Sequence, residues 1–286
     1  MNDSAEQKSV LLTGATGFLG SMLLRRLLKE GYALTILKRS FSQTHRINDL
    51  MPSIQSFDLD KTELVEISRH VKAHYIIHCA TDYGRKNVSV SDIIQANLVL
   101  PVSLLSLRDN FQCKCFINTD TIIDKRVSSY SKSKKQFREW LEHFYGPGDD
   151  KSKFISSVIG NLLRNADHID FTAGEQQRDF IYIDDVVEAF LLIIKNASSA
   201  GKGFYDYEIG TNRLISIKDI VKMMKNMTGN TVTKLNFGVL PYRENELMLS
   251  SVNTEKIRSS GWVPKYTIEA GIQHTVNTEK ALMAKS

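Results

Sequence analysis

Thr13-Gly-Ala-Thr-Gly-Phe-Leu-Gly20 restricts the fold of this chain more than any other segment. It places glycines at 14, 17 and 20. A short apolar run, Ser9–Thr13, leads into it. A stretch with helical spacing, Phe18 to Glu30, leads out, carrying Leu19, Met22, Leu23, Leu27 and Leu28 and stopping at Gly31. The pattern predicts strand, tight turn and helix. Glycines permit such a turn and let backbone N–H groups approach a pyrophosphate, whose charge the helix N-terminus stabilises. A glycine triplet alone indicates only a turn. Between a strand and a helix it indicates dinucleotide binding, with Gly14, Thr16, Gly17, Phe18, Leu19 and Gly20 as the contacts.

Three more apolar runs follow, Ala33–Leu37, Tyr75–Ala80 and Cys115–Asn118. Continuous apolar strands between helices are what a parallel sheet covered on both faces requires. The expected fold is a doubly wound α/β unit of Rossmann type over residues 1–143. Phe144-Tyr-Gly-Pro-Gly-Asp-Asp150 reads as a turn-rich hinge. Residues 144–286 are expected to form a smaller, mostly helical substrate lobe, with the segment around 178–195 returning to the core. Its helices are predicted at 154–163, through Ile194, and at 217–227.

Hydrophobic residues make up 42% and charged residues 24%, enough apolar material for a full core. No run of about 18 apolar residues could cross a bilayer, and the polar first residues lack an apolar signal region, so a cytoplasmic protein with no membrane attachment is expected. Cys79, Cys113 and Cys115 form no C-x-x-C pair, which argues against a disulfide framework or a metal site. Lys and Arg exceed Asp and Glu by 37 to 32, and the excess is scattered. That balance suits a small anionic substrate rather than nucleic acid.

Two further features bear on chemistry. An acid at the end of the second strand, about 20 residues past the glycines, would hold the ribose hydroxyls of NAD, whereas an Arg there accommodates a 2′-phosphate. The chain reads Leu37-Lys-Arg-Ser40. Arg39, with Lys38 or Ser40 helping, therefore favours NADP over NAD. Of the tyrosines, only Tyr130 is followed four residues later by Lys, at Lys134. On a helix both lie on one face. The ammonium favours the phenolate, so the phenol can exchange a proton nearer neutrality.

The G-x-x-G-x-x-G spacing and the Tyr130/Lys134 pair resemble the short-chain dehydrogenase/reductase superfamily. The whole chain is similar to its extended branch, the nucleotide-sugar epimerase/dehydratase family. The resemblance implies a third catalytic group at Thr119, in Phe116-Ile-Asn-Thr-Asp-Thr121, with Thr121 as the fallback; its hydroxyl would bond the reacting oxygen. His78-Cys-Ala-Thr-Asp-Tyr-Gly84 looks like the cofactor-lining segment, which implies Cys79, Ala80 and Thr81 at the cofactor and Tyr83 at the substrate. Asp58, with Leu59, looks like the adenine contact, and Asn97 like the family's structural Asn at the cofactor site. Arg178 and Arg243 match places where the group presents guanidinium forks to a sugar-nucleotide diphosphate. Asp120, Thr121, His143 and Glu246 are implied as further substrate contacts.

Asn118-Thr-Asp-Thr121, Leu141-Glu-His-Phe-Tyr-Gly-Pro-Gly-Asp149, Gly174-Glu-Gln-Gln-Arg-Asp-Phe180 and Arg243-Glu-Asn-Glu-Leu-Met248 resemble the abequose-synthase type of CDP-sugar reductase. That likeness implies a homodimeric enzyme using NADPH to reduce the 4-keto group of a CDP-linked dideoxyhexose for surface polysaccharide, the O-antigen of lipopolysaccharide. Dehydratases of the group carry Glu where Thr121 stands, so water elimination is disfavoured. One departure stands out. Relatives place the rest of a helix, a turn and a sixth strand between the Lys and the hinge. Here the hinge comes almost at once, a shortfall on the order of 15 residues. It is a deletion, or residues of the polypeptide are missing from the sequence. Two other readings stay open, an NAD-dependent nucleotide-sugar 4-epimerase and a dinucleotide-binding relative without catalysis.

Overall fold

The computed structural model describes residues 7–83, 89–119, 144–197, 205, 207–242 and 246–284. The chain divides into two compact units, Met1–Leu141 with Phe190–Asp206, and Glu142–Ala189 with Tyr207–Ser286.

The first unit is built on a five-stranded parallel sheet of order β3-β2-β1-β4-β5. Its strands are β1 (Ser9–Thr13), β2 (Ala33–Lys38), β3 (Gln55–Asp58), β4 (Tyr75–His78) and β5 (Cys115–Asn118). Leu11, Leu12, Ile36, Ile76 and Ile77 are wholly buried, as expected of strands covered on both faces. Helix α1 (Phe18–Lys29) buries Leu23, Leu24 and Leu27. Beyond it come α2 (Leu64–His70), α3 (Val90–Ile94), α4 (Leu100–Ser106) and α5 (Arg108–Phe111). A core cluster joins Leu11, Leu37 and Ile76 of the sheet to Ile67, Leu104 and Phe111 of these helices. A π-helical turn, Gln95–Val99, lies between α3 and α4 and leads into Pro101 in the first turn of α4. The chain enters β1, steps outward to β2 and β3, then crosses to β4 and β5. The direction reverses between β1 and β4, and open α/β sheets bind ligands beyond the carboxyl ends of strands at such a point.

The structure matches the predicted sheet and adds β3. Its sequence, Gln-Ser-Phe-Asp, has one large apolar residue and none of its side chains is fully buried, as suits an edge strand. The predicted run to Ala80 ends as a strand at His78, because Cys79 and Ala80 turn across Gly14. Among the described residues β5 closes the other side of the sheet.

The second unit holds β6 (Phe144–Tyr145), α6 (Phe154–Leu163), β7 (His168–Phe171), β8 (Gln177–Asp179), β9 (Ile181–Tyr182), α7 (Ile183–Ala197), β10 (Leu214–Ser216), α8 (Ile217–Thr228), β11 (Lys234–Phe237), β12 (Leu249–Ser250), α9 (Glu255–Ser259) and α10 (Ile268–Met283). The division between units falls within α7. Short ladders accompany the helices: β10-β8-β12, β11-β7 and β6-β9. Buried Asp185 at the start of α7 fixes the approach to α10: its carboxylate accepts from Lys265 N at 2.7 Å and Tyr266 N at 3.1 Å, while Trp262 Nε1 donates to its carbonyl. Among the described residues no helix is long and apolar enough to cross a membrane.

Candidate functional site

The glycine turn sits at the reversal point. Gly14 adopts φ +72°, and a Cβ there would stand 2.5 Å from Ala80 N and Cys79 C. Gly17 N–H donates to Gly14 O at 2.9 Å, and a Cβ on Gly20 would stand 2.1 Å from that same oxygen. Side chains at 14 or 20 would fill the space that the turn closes on itself. Gly17 is the N-cap residue of α1; no side chain caps the helix, and its first turn carries no acid. The amide end of α1 thus fits a pyrophosphate, with no negative side chain of its own in competition.

Below the turn, Thr13 Oγ1 and His78 Nδ1 share a 2.8 Å hydrogen bond between two fully buried side chains. Cys79 N donates to Thr13 O and Ala80 N to Thr13 Oγ1. These bonds hold the Cys79–Ala80 backbone against Gly14. Thr81 follows, half-buried, and Tyr83 is exposed. Asn97 is buried in the π-helical turn; its Nδ2 donates to Asp82 O and its Oδ1 accepts from Asp82 N. It supports the lining loop through the backbone. Thr119 directly follows β5 and is buried, with Oγ1 donating to His78 O at 3.2 Å. The carboxyl ends of β1, β4 and β5 therefore place Gly14, Cys79, Ala80 and Thr119 along one edge of the sheet.

At the end of β2 the three polar residues separate. Lys38 forms an ion pair with Asp58, so its charge is already engaged by the carboxylate expected at adenine. Leu59 N donates to Lys38 O at 2.8 Å, which keeps the two strand ends together. Arg39 is exposed, its guanidinium 4.8 Å from the centre of the Phe41 ring. Ser40 donates twice to Asp60, from N at 2.7 Å and from Oγ at 2.5 Å. Residues 37–40 themselves carry no acid. In space there is one, supplied by the turn after β3.

In the second unit Arg178 and Glu246 come together, with Arg178 Nη2 to Glu246 Oε1 at 2.8 Å and both side chains mostly buried. The parallel pairing of β12 with β8 explains it: Leu249 stands opposite Gln177 and Ser250 opposite Arg178, so the residues just before β12 arrive at Arg178. Neighbouring Asp179 points to the other face, as alternation along a strand requires. Its carboxylate accepts from Thr211 N, Thr211 Oγ1 and Asn212 N at 2.9, 2.5 and 2.7 Å. A cavity of about 590 Å³ on that face is lined by Asp179, Asn212, Leu214 and Arg258 among others, and by none of the expected substrate contacts. Asp179→Ala would strip two backbone N–H groups and a hydroxyl of their acceptor. With the hydroxyl free to turn to water, the two backbone N–H groups at roughly 1–3 kcal/mol each give an expected loss of about 2–6 kcal/mol, or a drop of at least about 4 °C in Tm. A circular-dichroism melt reads it. An unchanged Tm would show that this carboxylate does not hold the 207–214 segment.

Tyr130, Lys134, Asp120, Thr121, His143 and Arg243 lie outside the described residues. Of the expected site, the structure assembles the glycine turn, the loop after β4, Thr119 and the β2 corner in one unit, and Arg178 with Glu246 in the other.

Set against known proteins, the NAD dependent epimerase/dehydratase family matches residues 10–139 and 139–210. The two pieces meet inside the short connection that follows Lys134. CDP-abequose synthase of Salmonella muenchen is 36% identical over 296 residues, spanning 96% of this chain and 98% of that protein. The alignment exceeds the 286 residues of this chain, so the relative carries residues that this chain lacks. Among solved structures, UDP-glucose 4-epimerase from Thermotoga maritima, with UDP-glucose, superposes with a TM-score of 0.79 at 23% identity, covering 96% of this chain and 99% of that one. The dTDP-glucose 4,6-dehydratase of Bacillus anthracis, in complex with NAD, gives a TM-score of 0.75 at 20% identity, with 96% and 97% covered. These two establish the shared fold.

Proposed function

Because the chain belongs to the NAD dependent epimerase/dehydratase family, we propose that it reduces the 4-keto group of a nucleotide-activated 4-keto-6-deoxy- or 3,6-dideoxyhexose, CDP-linked, with NADPH as reductant. It is an NAD(P)-dependent enzyme of the short-chain dehydrogenase/reductase type. The observation that carries the reductase reading is the near full-length likeness to a CDP-abequose synthase. Residues 1–143 would hold the dinucleotide and residues 144–286 the sugar nucleotide, in a homodimer serving surface-polysaccharide synthesis.

The dinucleotide, when bound, supplies the hydride chemistry. The protein supplies the rest. The α1 amide end would hold the pyrophosphate, and the Lys134 ammonium would lower the pKa of the Tyr130 phenol. Tyr130 then donates its proton to the nascent alkoxide, with the Thr119 hydroxyl polarising the carbonyl. Arg178 and Arg243 pair with the diphosphate, for which Arg178 exchanges part of its bond to Glu246.

A screen of CDP-, GDP-, dTDP- and UDP-4-keto sugars, read as loss of reduced-nicotinamide absorbance, tests this reading. Stoichiometric consumption of NADPH with the CDP sugar is expected. The epimerase reading predicts interconversion of sugars with no net consumption. Preference for NADPH over NADH is expected from Arg39. Charge-assisted pairs contribute about 1.5–3 kcal/mol, which gives roughly tenfold to a hundredfold. Arg39→Glu should erase that preference, and equal affinity of the unaltered protein for both cofactors would refute it.

A further inference from the structure

The end of β2 carries a carboxylate that enters from another strand. Strands β2 and β3 run parallel with Lys38 opposite Asp58. The residues two further on, Ser40 and Asp60, meet through the pair of hydrogen bonds at 2.7 and 2.5 Å. Dinucleotide-binding folds place an acid for the ribose 2′-hydroxyl at the end of this strand, about 20 residues past the glycines. Lys38 ends the strand here, and Ser40, two residues beyond it, brings the Asp60 carboxylate to that corner through space. We propose that Asp60 is a specificity-determining residue of the dinucleotide site, accepting a hydrogen bond from the adenosine ribose hydroxyl of NAD(H) and repelling the 2′-phosphate of NADP(H), so that it opposes Arg39 and holds the preference for NADPH down.

The surrounding charges support the assignment. Lys38 is paired with Asp58, and Lys61 lies 3.6 Å from the same carboxylate. Arg39 has no ion pair among the described residues; its partner is the Phe41 ring. The bonds from Ser40 hold the Asp60 carboxyl below the ordinary carboxylate range, so it is anionic at neutral pH. Arg39 and Asp60 are thus the opposed charges at this corner, with Lys61 close enough to act on Asp60 as well. A like charge several Å from a phosphate at the protein surface changes affinity roughly three- to tenfold.

The proposal rests on the dinucleotide reading of the glycine turn, and the test separates the two. Dissociation constants for NADPH and NADH are measured by nicotinamide fluorescence on the full chain, without turnover. Asp60→Asn removes the charge and keeps the shape and an oxygen that can accept from Ser40 N, while its amide N–H can donate to Ser40 Oγ in place of the bond that the hydroxyl now donates. It should tighten NADPH roughly three- to tenfold and weaken NADH or leave it unchanged. Ser40→Ala keeps the charge while loosening its anchor, and should weaken NADH without any gain for NADPH. A changed ratio of NADPH to NADH affinity is what a merely structural bond would not produce. An NADPH-to-NADH ratio unchanged in Asp60→Asn, while both cofactors still bind, overturns the role of Asp60 and leaves the dinucleotide site standing. Failure of the unaltered protein to bind either cofactor overturns the dinucleotide reading, and this proposal with it.

Discussion

Tyr130→Phe is expected to lower turnover of the 4-keto sugar roughly a hundredfold to ten-thousandfold while the dinucleotide still binds, because the phenol supplies the proton that general acid catalysis requires. Tyr130 and Lys134 stand four residues apart, which on a helix brings the phenol and the ammonium to one face. Phenylalanine keeps the ring and removes only the acid. Lys134→Ala is expected to lose both turnover and dinucleotide affinity, since in the proposed mechanism the ammonium would serve both the phenol and the nicotinamide ribose. Steady-state rates beside fluorescence titration of NADPH make the distinction. Near-normal turnover in Tyr130→Phe would move the proton donor to Thr119 or to water. The short connection after Lys134 gives this experiment a second use. Dinucleotide binding with no turnover of any 4-keto sugar in the unaltered chain would favour the reading without catalysis.

What the sequence showed follows from where burial is continuous. Strands β1 and β5 were delimited to the residue, because buried parallel strands are unbroken apolar runs bounded by turn residues. Strand β3 escaped notice because an edge strand needs no such run. The ladders of the second unit are two to four residues long, and pairings that short are set by what the rest of the unit brings alongside. The long helix α10 was also missed: two of its buried positions are Gly271 and Thr275, which leaves Ile268, Ile272 and Val276 as a thin apolar stripe. At the site, the expected residues that the structure brings together within one unit are mostly neighbours in sequence, the glycine turn foremost. Asp60 escaped because its partner Ser40 is 20 residues away and is reached only through the β2–β3 register. The Arg178–Glu246 pair shows the same limit over 68 residues. Both members were named as substrate contacts, but their mutual bond comes from β12 lying beside β8.

Gly14→Ala is expected to abolish dinucleotide binding and to destabilise the protein, for two additive reasons. The residue holds φ +72°, a conformation that costs a side-chain-bearing residue about 1 kcal/mol or more. The new Cβ would also stand 2.5 Å from Ala80 N and Cys79 C, main-chain atoms that the bonds to Thr13 keep in place. Forcing such contacts apart adds about 1–3 kcal/mol, and the total corresponds to a fall of about 4–15 °C in Tm. The displaced Gly14 carbonyl is the acceptor for Gly17 N–H, so the turn that presents the α1 amides to the pyrophosphate moves with it. Gly31 is the control. It has φ +82° at the end of α1, yet a Cβ there meets nothing within 4 Å. Gly31→Ala should therefore show the conformational cost alone, near 1 kcal/mol. Thermal melts with and without NADPH separate the two: a ligand at a hundred times its Kd stabilises by about 2.7 kcal/mol, a shift that Gly31→Ala should retain and Gly14→Ala should lose. Retention of that shift in Gly14→Ala would place the pyrophosphate somewhere other than this turn.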